Sequence, residues 1–356
     1  MIKKNKLLSE KELVKKTEKQ AFKLFIGIDV SKLKLDVSVL MMGRICTSFE
    51  VGNTVKGWKK LHQKVQKLPD YKKENTVFCM ESTGIYHLAI AEYLSERGAF
   101  TWVENAYQIK HSMGLRRGKS DQTDARNIAT YAYRHVDNFR LFTMPSFALK
   151  FLEIVHKNRA KLLKIKYQLT LEIKAYESIS MDEIAALKRS LSADTVASIE
   201  RDIQKCEAQM RTIIASDEEL KRLFKLVTSV EGVSLLVGAY LLVATGSFKR
   251  FTNARKFACQ IGIAPFEVSS GTSLHKKKGT SNFADKLGKK MITNAAGCAI
   301  RKYGGLRTYY ERKIKEGKMP GKVLNAVKNK LLHRIFAVVK SGQPYDKFHE
   351  WELKKA

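Results

Sequence analysis

One stretch limits what this chain can become: Leu24-Phe25-Ile26-Gly27-Ile28-Asp29-Val30-Ser31-Lys32. Leu24, Phe25, Ile26 and Ile28 form a β-favouring apolar run, which predicts a strand buried on both faces. The run ends on a single acid, Asp29. A carboxylate on such a strand is costly unless a partner offsets its desolvation. Either Asp29 closes the strand and caps a turn, or it is a metal-binding carboxylate held on a rigid central strand. A second stretch of the same kind weighs on the choice. Thr76–Met80 is also a buried-strand run, and it too ends on an acid, Glu81.

The residues between these acids set the connection. Over 32–40, Leu33, Leu35, Val37 and Val39 alternate with polar residues until Leu40, which predicts a half-buried strand. Met42-Gly43-Arg44 makes a turn, and Ile45–Val51 is a third strand, so the first three strands form an antiparallel meander. Gly52-Asn53 breaks it. Thr54 can cap a helix running to about Leu68, with Val55, Trp58, Leu61, Val65 and Leu68 on one face. Pro69-Asp70 ends that helix. Beyond Glu81, Ser82-Thr83-Gly84 turns into a helix to about Arg97, and Phe100–Val103 is a fifth strand. The order β-β-β-α-β-α-β, then helix, is ribonuclease-H-like. In that order the first and fourth strands are neighbours, so Asp29 and Glu81 can approach each other.

The next feature is Arg116-Arg117-Gly118-Lys119-Ser120-Asp121-Gln122-Thr123-Asp124-Ala125-Arg126. Asp121 and Asp124 are three apart at the start of a helix through about Arg134, so they share a face. Taken alone they fit an N-cap and a favourable first-turn acid. Together with Asp29 and Glu81 they make four acids that this chain order can converge on one pocket. Magnesium takes hard oxygen ligands in octahedral geometry. Two such ions about 3.5–4 Å apart stabilise both the attacking and the leaving oxygen of a phosphodiester. Arg116, Arg117 and Lys119 beside the acids suit a phosphate backbone.

Charge points to the same partner. The 356 residues hold 66 Lys and Arg against 35 Asp and Glu, a net charge of +31. That excess implies a polyanion, and nucleic acid above all. No apolar run is as long as a membrane span and no signal-type apolar core opens the chain, so no membrane is expected. Cys46, Cys79, Cys206, Cys259 and Cys298 are far apart with no C-x-x-C pair. This argues against a zinc site or disulfide framework and for a reducing cytoplasm.

From Ser146 to about Leu226 the pattern is long-helical. Leu162, Ile165, Leu169, Ile173 and Tyr176 make one seam, and Val196, Ile199, Ile203, Cys206, Met210 and Ile213 make a heptad seam. A break at Glu177–Asp182 predicts an antiparallel helical hairpin, a coiled-coil arm acting as a spacer. The remainder predicts short helices with glycine turns and many cations. Val230-Glu231-Gly232-Val233-Ser234 resembles a helix-hairpin-helix turn, whose amides can hold a phosphate. Lys249, Arg250 and Arg255 follow as nucleic-acid contacts. Gly262–Thr272 is expected to be a turn-rich loop, followed by His275 and Lys276, Lys277 and Lys278. A serine in such a loop is either a turn residue or a nucleophile activated beside a clamped phosphate.

Gly-Ile-Asp-Val-Ser-Lys (27–32), Met-Glu-Ser-Thr-Gly-Ile-Tyr (80–86) and Lys-Ser-Asp-Gln-Thr-Asp-Ala (119–125) resemble the motifs of the DEDD insertion-sequence transposases. These are relatives of the Piv DNA invertase, and their guided members are the bridge-RNA recombinases. Phe257–Thr272, with its Pro-x-x-x-Ser-Ser-Gly core, and Gly321–Tyr345 carry the C-terminal part of the resemblance. The resemblance implies an α/β ribonuclease-H/RuvC-like N-terminal domain, a helical coiled-coil arm and a mainly α C-terminal transposase domain. On this chain these are 24–145, 146–226 and 227–356, after a basic extension over 1–23. It implies that Asp29, Glu81, Asp121 and Asp124 bind magnesium, with manganese as the alternative ion. It implies that Ser270 is the nucleophile, with Ser269 adjacent. The implied chemistry is cleavage through a phosphoserine, then exchange and religation of donor and target DNA. A structured guide RNA and a homo-oligomer, dimer or tetramer, with composite active sites are implied as partners. The implied setting is the prokaryotic cytoplasm, at the nucleoid. The chain departs from the family at the hairpin turn, commonly Pro-Gly-Ile-Gly and here Glu231-Gly232-Val233-Ser234; an acid facing phosphate is unfavourable.

Three other functions compete. A RuvC-like metal nuclease or junction resolvase would lack the covalent step. A sugar kinase or actin-like ATPase shares Gly-Ile-Asp-Val-Ser and the superfold, but the second Gly-rich phosphate loop and the adenosine loop are absent from the sequence. A non-catalytic nucleic-acid scaffold would not need the four acids.

Overall fold

The computed structural model describes residues 22–82, 84–112, 121–251, 253–264, 284–301 and 304–346, and the backbone of 266–270 and 274–279. Arg116, Arg117 and Lys119 lie outside these residues. The chain divides into two compact units, Met1–Met144 and Pro145–Ala356.

The first unit is built on a five-stranded sheet: β1 Leu24–Val30, β2 Lys34–Met41, β3 Arg44–Gly52, β4 Thr76–Glu81 and β5 Phe100–Glu104. Their spatial order is β3-β2-β1-β4-β5. Strands β1 to β3 are antiparallel, while β4 runs parallel to both β1 and β5. This is the expected meander with the first and fourth strands adjacent. The helices are α1 Val55–Gln66, α2 His87–Glu96, α3 Ala106–Ser112 and α4 Asp121–Arg134. Period-2 alternation divides the sheet into two buried faces. Leu24, Ile26 and Ile28 pack with Leu61 and Val65 of α1 and Ile90 and Leu94 of α2. Phe25, Val77, Cys79 and Trp102 face the other way, against Ile109 of α3 and Ile128, Ala129 and Ala132 of α4. β1 is therefore apolar from Leu24 to Ile28 because helices cover both of its sides. Thr54 caps α1 as expected, its side chain accepting from the Gly57 amide.

The second unit begins with two long helices, α5 Phe147–Ser178 and α6 Asp182–Ser216. Their ion pairs run in opposite order, Arg159–Glu207, Lys166–Glu200, Lys188–Glu172 and Arg189–Glu177, so the helices are antiparallel. Ile173, Ile199, Cys206 and Met210 of the expected seams are buried, whereas Ile165 is 36% exposed. The helical run does not continue unbroken to Leu226. Asp217 interrupts it, accepting from the Leu220 amide at 3.0 Å and capping a new helix, α7 Glu218–Ser229. The base of the pair is part of the unit's core: Leu149, Leu152, Met210 and Ile214 pack with Leu220 and Leu223 and with Ala239 and Leu242. The last two belong to α8 Leu235–Thr245, followed by α9 Ala254–Gln260, α10 Lys286–Arg301, α11 Gly305–Lys315 and α12 Pro320–Ser341.

One expectation is corrected. Gly262–Thr272 is not simply a turn-rich loop. Residues Phe266–Ser270 form β6, paired antiparallel with β7 Leu274–Gly279. Phe266 and Val268 alternate with polar residues at strand spacing, but the run is too short and its partner too basic for apolar periodicity to reveal it.

Candidate active site

The acid end of the sheet follows from register. The α4-facing residues of β1 are Phe25, Gly27 and then Asp29. On β4 they are Val77, Cys79 and then Glu81. The two strands are parallel with Ile28 level with Met80, so one step further brings Asp29 and Glu81 to adjacent strand ends on one face. That face belongs to α4, whose first turn carries Asp121 and Asp124. Gly27 brings the helix this close. A Cβ there would lie 2.3 Å from both the Ala125 carbonyl oxygen and the Ala129 nitrogen, so any side chain would push α4 off β1.

The electrostatics at Asp29 show this crowding. Its carboxyl is pushed up to about 6, first by burial and then by the charges of Asp124, Asp121, Glu81 and Asp36. The three other expected acids are thus within electrostatic reach of Asp29. Asp36 is a fifth acid, the register partner of Asp29 across the β1–β2 pair, and only 7% exposed. The tight turn at Ser31–Lys34, closed by the Ser31 amide to the Lys34 carbonyl at 3.0 Å, folds Asp36 back onto Asp29. Lys34 was also missed; its Nζ lies 3.1 Å from Asp36, 3.2 Å from Glu50 and 3.1 Å from Asp121. Next along the sheet, Glu104 ends β5 level with Glu81. It accepts hydrogen bonds from Trp102 at 3.2 Å and Tyr131 at 3.3 Å. Burial and the Glu104 charge push the Tyr131 phenol well above its ordinary range, so it remains a donor.

The donor chemistry fits a hard divalent cation. The charged groups that raise the Asp29 carboxyl, Asp124, Asp121, Glu81 and Asp36, are all carboxylates, and a cation would relieve their repulsion. Among the described residues, no three such groups already stand close enough to form a finished ligand set.

The other expected residues lie in the second unit. Ser270 is the last residue of β6, opposite Leu274, and Ser269 lies opposite His275. Lys276, Lys277 and Lys278 lie on β7. Lys249 and Arg250 are exposed just after Gly246, Ser247 and Phe248, three successive left-handed residues at φ 59°, 55° and 63°. This costly turn is held by the Thr245 hydroxyl, which accepts from the Phe248 amide at 2.9 Å, and by the Phe248 ring against Phe336 at 5.1 Å. Lys249 is 3.3 Å from Glu219, and Arg255 is exposed on α9. Glu231 does not face solvent. It is 7% exposed, and its Oε2 lies 2.4 Å from where a Cβ on Gly304 would be. The departure from the family's turn is therefore absorbed inside the unit. Among the described residues, no helix is long and apolar enough to cross a membrane.

Two family models match the chain. One, described as a transposase model of the DEDD IS110 type, covers residues 26–176. The other, described as the transposase IS116/IS110/IS902 family, covers 224–311. Together they span more than half of the sequence. The chain is 25% identical over 335 residues to the pilin gene-inverting protein of Moraxella bovis, covering 92% of this chain and 99% of that protein. It is 28% identical over 154 residues to the insertion element IS110 uncharacterized 43.6 kDa protein of Streptomyces coelicolor, covering 43% of this chain and 37% of that protein.

Proposed function

This chain belongs to the IS110-type DEDD transposase family and is a DNA transposase or recombinase, and we propose that it cuts and rejoins DNA with a serine nucleophile beside a magnesium-binding acid site. What supports the proposal is that Asp29 and Glu81 end neighbouring parallel strands on the face covered by α4, that the first turn of α4 carries Asp121 and Asp124, and that the charges of all three act on the Asp29 carboxyl. Magnesium, or manganese in its place, supplies positive charge for the phosphate oxygens. Asp29 and Glu81, fixed by strand register, would hold it from the sheet, and Asp121 and Asp124 from the helix. Ser270 Oγ forms a bond to the scissile phosphorus as the bond to the leaving sugar oxygen breaks. The serine proton is lost to solvent or a base, and the leaving oxygen takes one up. Rejoining reverses these steps with a different strand.

The proposed domains are the acid domain over 24–145, a coiled-coil arm over 146–226 and the serine domain over 227–356. A homo-oligomer, dimer or tetramer, in which the serine of one protomer completes the acid site of another, is part of the same proposal. So is a structured guide RNA that pairs with donor and target DNA. The charge of +31 supports a partner with many phosphates. Lys249, Arg250, Arg255 and Lys276–Lys278, with Arg116, Arg117 and Lys119, are its proposed contacts.

The test traps the intermediate on a nicked suicide DNA substrate with magnesium and maps the linked residue by mass spectrometry. The expected adduct is on Ser270. Ser270→Ala should bind DNA normally, form no adduct and give no recombinant, while Ser269→Ala keeps much of the activity. An adduct on Ser269 or on a tyrosine such as Tyr309 overturns the serine assignment. Acid-dependent cutting with no adduct establishes the nuclease alternative instead.

A further inference from the structure

We propose that Lys34 is a positioning residue of the acid site, a built-in counter-ion that holds Asp121 until an entering divalent ion takes that carboxylate from it. This rests on the proposed metal role of the acids. Lys34 opens β2 and faces the α4 side of the sheet, as Asp36 and Leu40 do two and six residues later. Its Nζ meets acids from three elements: Asp36 on β2, Glu50 on β3 and Asp121 on α4. Only Asp121 belongs to the expected ligand set. Asp36 and Glu50 are register partners of each other, so they form a fixed pair on the sheet. Lys34 therefore has a resting place after Asp121 leaves.

The exposure of the pair makes the exchange easy. The Lys34 side chain is 37% exposed and that of Asp121 is 55% exposed. An ion pair this open to water is weak and breaks readily. A divalent ion would offer Asp121 twice the charge. Holding Asp121 meanwhile keeps the first turn of α4 against the sheet, ready for the ion. The cost is competition, because a lysine charge beside the site lowers its affinity for any cation.

The measurement is Mg2+ binding to the purified full chain by calorimetry, together with the thermal midpoint with and without Mg2+. Lys34→Gln should bind Mg2+ about three- to tenfold more tightly than the wild type, as loss of one nearby screened charge predicts. Its metal-free midpoint should be lower and its gain on adding Mg2+ larger. In an Asp121→Asn background the effect of Lys34→Gln on affinity should shrink, because only the through-space charge of Lys34 is then left to remove, and Lys34→Arg should restore wild-type behaviour. Equal or weaker Mg2+ binding by Lys34→Gln, in a wild type that does bind, overturns this inference alone. A wild type and a Lys34→Gln protein that both bind no Mg2+ overturn the metal reading of the acid site, and this inference with it. Circular dichroism of the variants guards against misfolding.

Discussion

Asp29 lies on a strand hydrogen-bonded on both sides, between β2 and β4, whereas Ser270 ends a ribbon of only two strands. The first is placed by many contacts at once: strand register, the close approach at Gly27, and helices packed on both faces. The described backbone of the second is paired in one short ladder, and a two-stranded ribbon is marginal by itself. The contrast suggests a division of labour. Under the proposed function, carboxylates that hold an ion would need fixed mutual geometry, and a sheet supplies it. A proposed nucleophile that meets one strand, lets go and meets another would gain from local attachment.

The largest effect should come from the acids. Asp29→Ala, Glu81→Ala and Asp124→Ala should each abolish strand exchange while the protein stays folded, because register and not the acids holds the sheet together. Recombination assays beside circular dichroism check this, and activity surviving in any two of the three would sink the metal-site assignment.

Salt should separate the regions next. The cations proposed to contact nucleic acid, on exposed turns and on the ribbon, would bind phosphate through counterion release, with a slope of about −0.9 in log K against log salt per phosphate neutralised on duplex DNA. Binding isotherms at several salt concentrations should show a steep slope that the acid mutants leave unchanged. A slope near zero excludes backbone-dominated binding.

Gly27→Val tests the rigidity of the acid end directly. Its side chain would collide with the α4 backbone at Ala125 and Ala129, so a loss of about 3 kcal/mol is expected in urea unfolding. By contrast Gly297, in α10, has nothing within 4 Å of a Cβ, and Gly297→Ala should cost nothing. Equal effects at the two glycines would mean that α4 does not press on β1 as described.

The smallest effect concerns protonation at Asp29. Its carboxyl is pushed up from 3.8 to about 6 in the folded chain, so folding favours the protonated form. That contribution is complete below about pH 4 and is lost as pH rises through 6. Asp29→Asn should therefore stabilise the metal-free protein by about 1–2 kcal/mol at pH 8, allowing for solvent screening, and by almost nothing near pH 4. A gain independent of pH would mean that the folded chain does not disfavour the charged Asp29 carboxylate, by burial or by repulsion.

Much of this molecule is written locally. The strand order, the capping by Thr54, the long helices and the acids closing β1 and β4 all follow from periodicity and turn chemistry within a few residues. The tertiary structure decided what lies across from what. Asp36 joins the site only because a tight turn pairs it with Asp29, and Lys34 matters only because α4 settles on its side of the sheet. The β6–β7 ribbon was hidden for a related reason: its pairing is a relation between two short segments, neither distinctive alone. Glu231 reads in sequence as an acid on a phosphate-binding turn, yet packing buries it against Gly304, 73 residues further along the chain. A periodic pattern records which side of an element is apolar. It does not record which distant backbone will cover that side, and the charge environment of each acid depends on that.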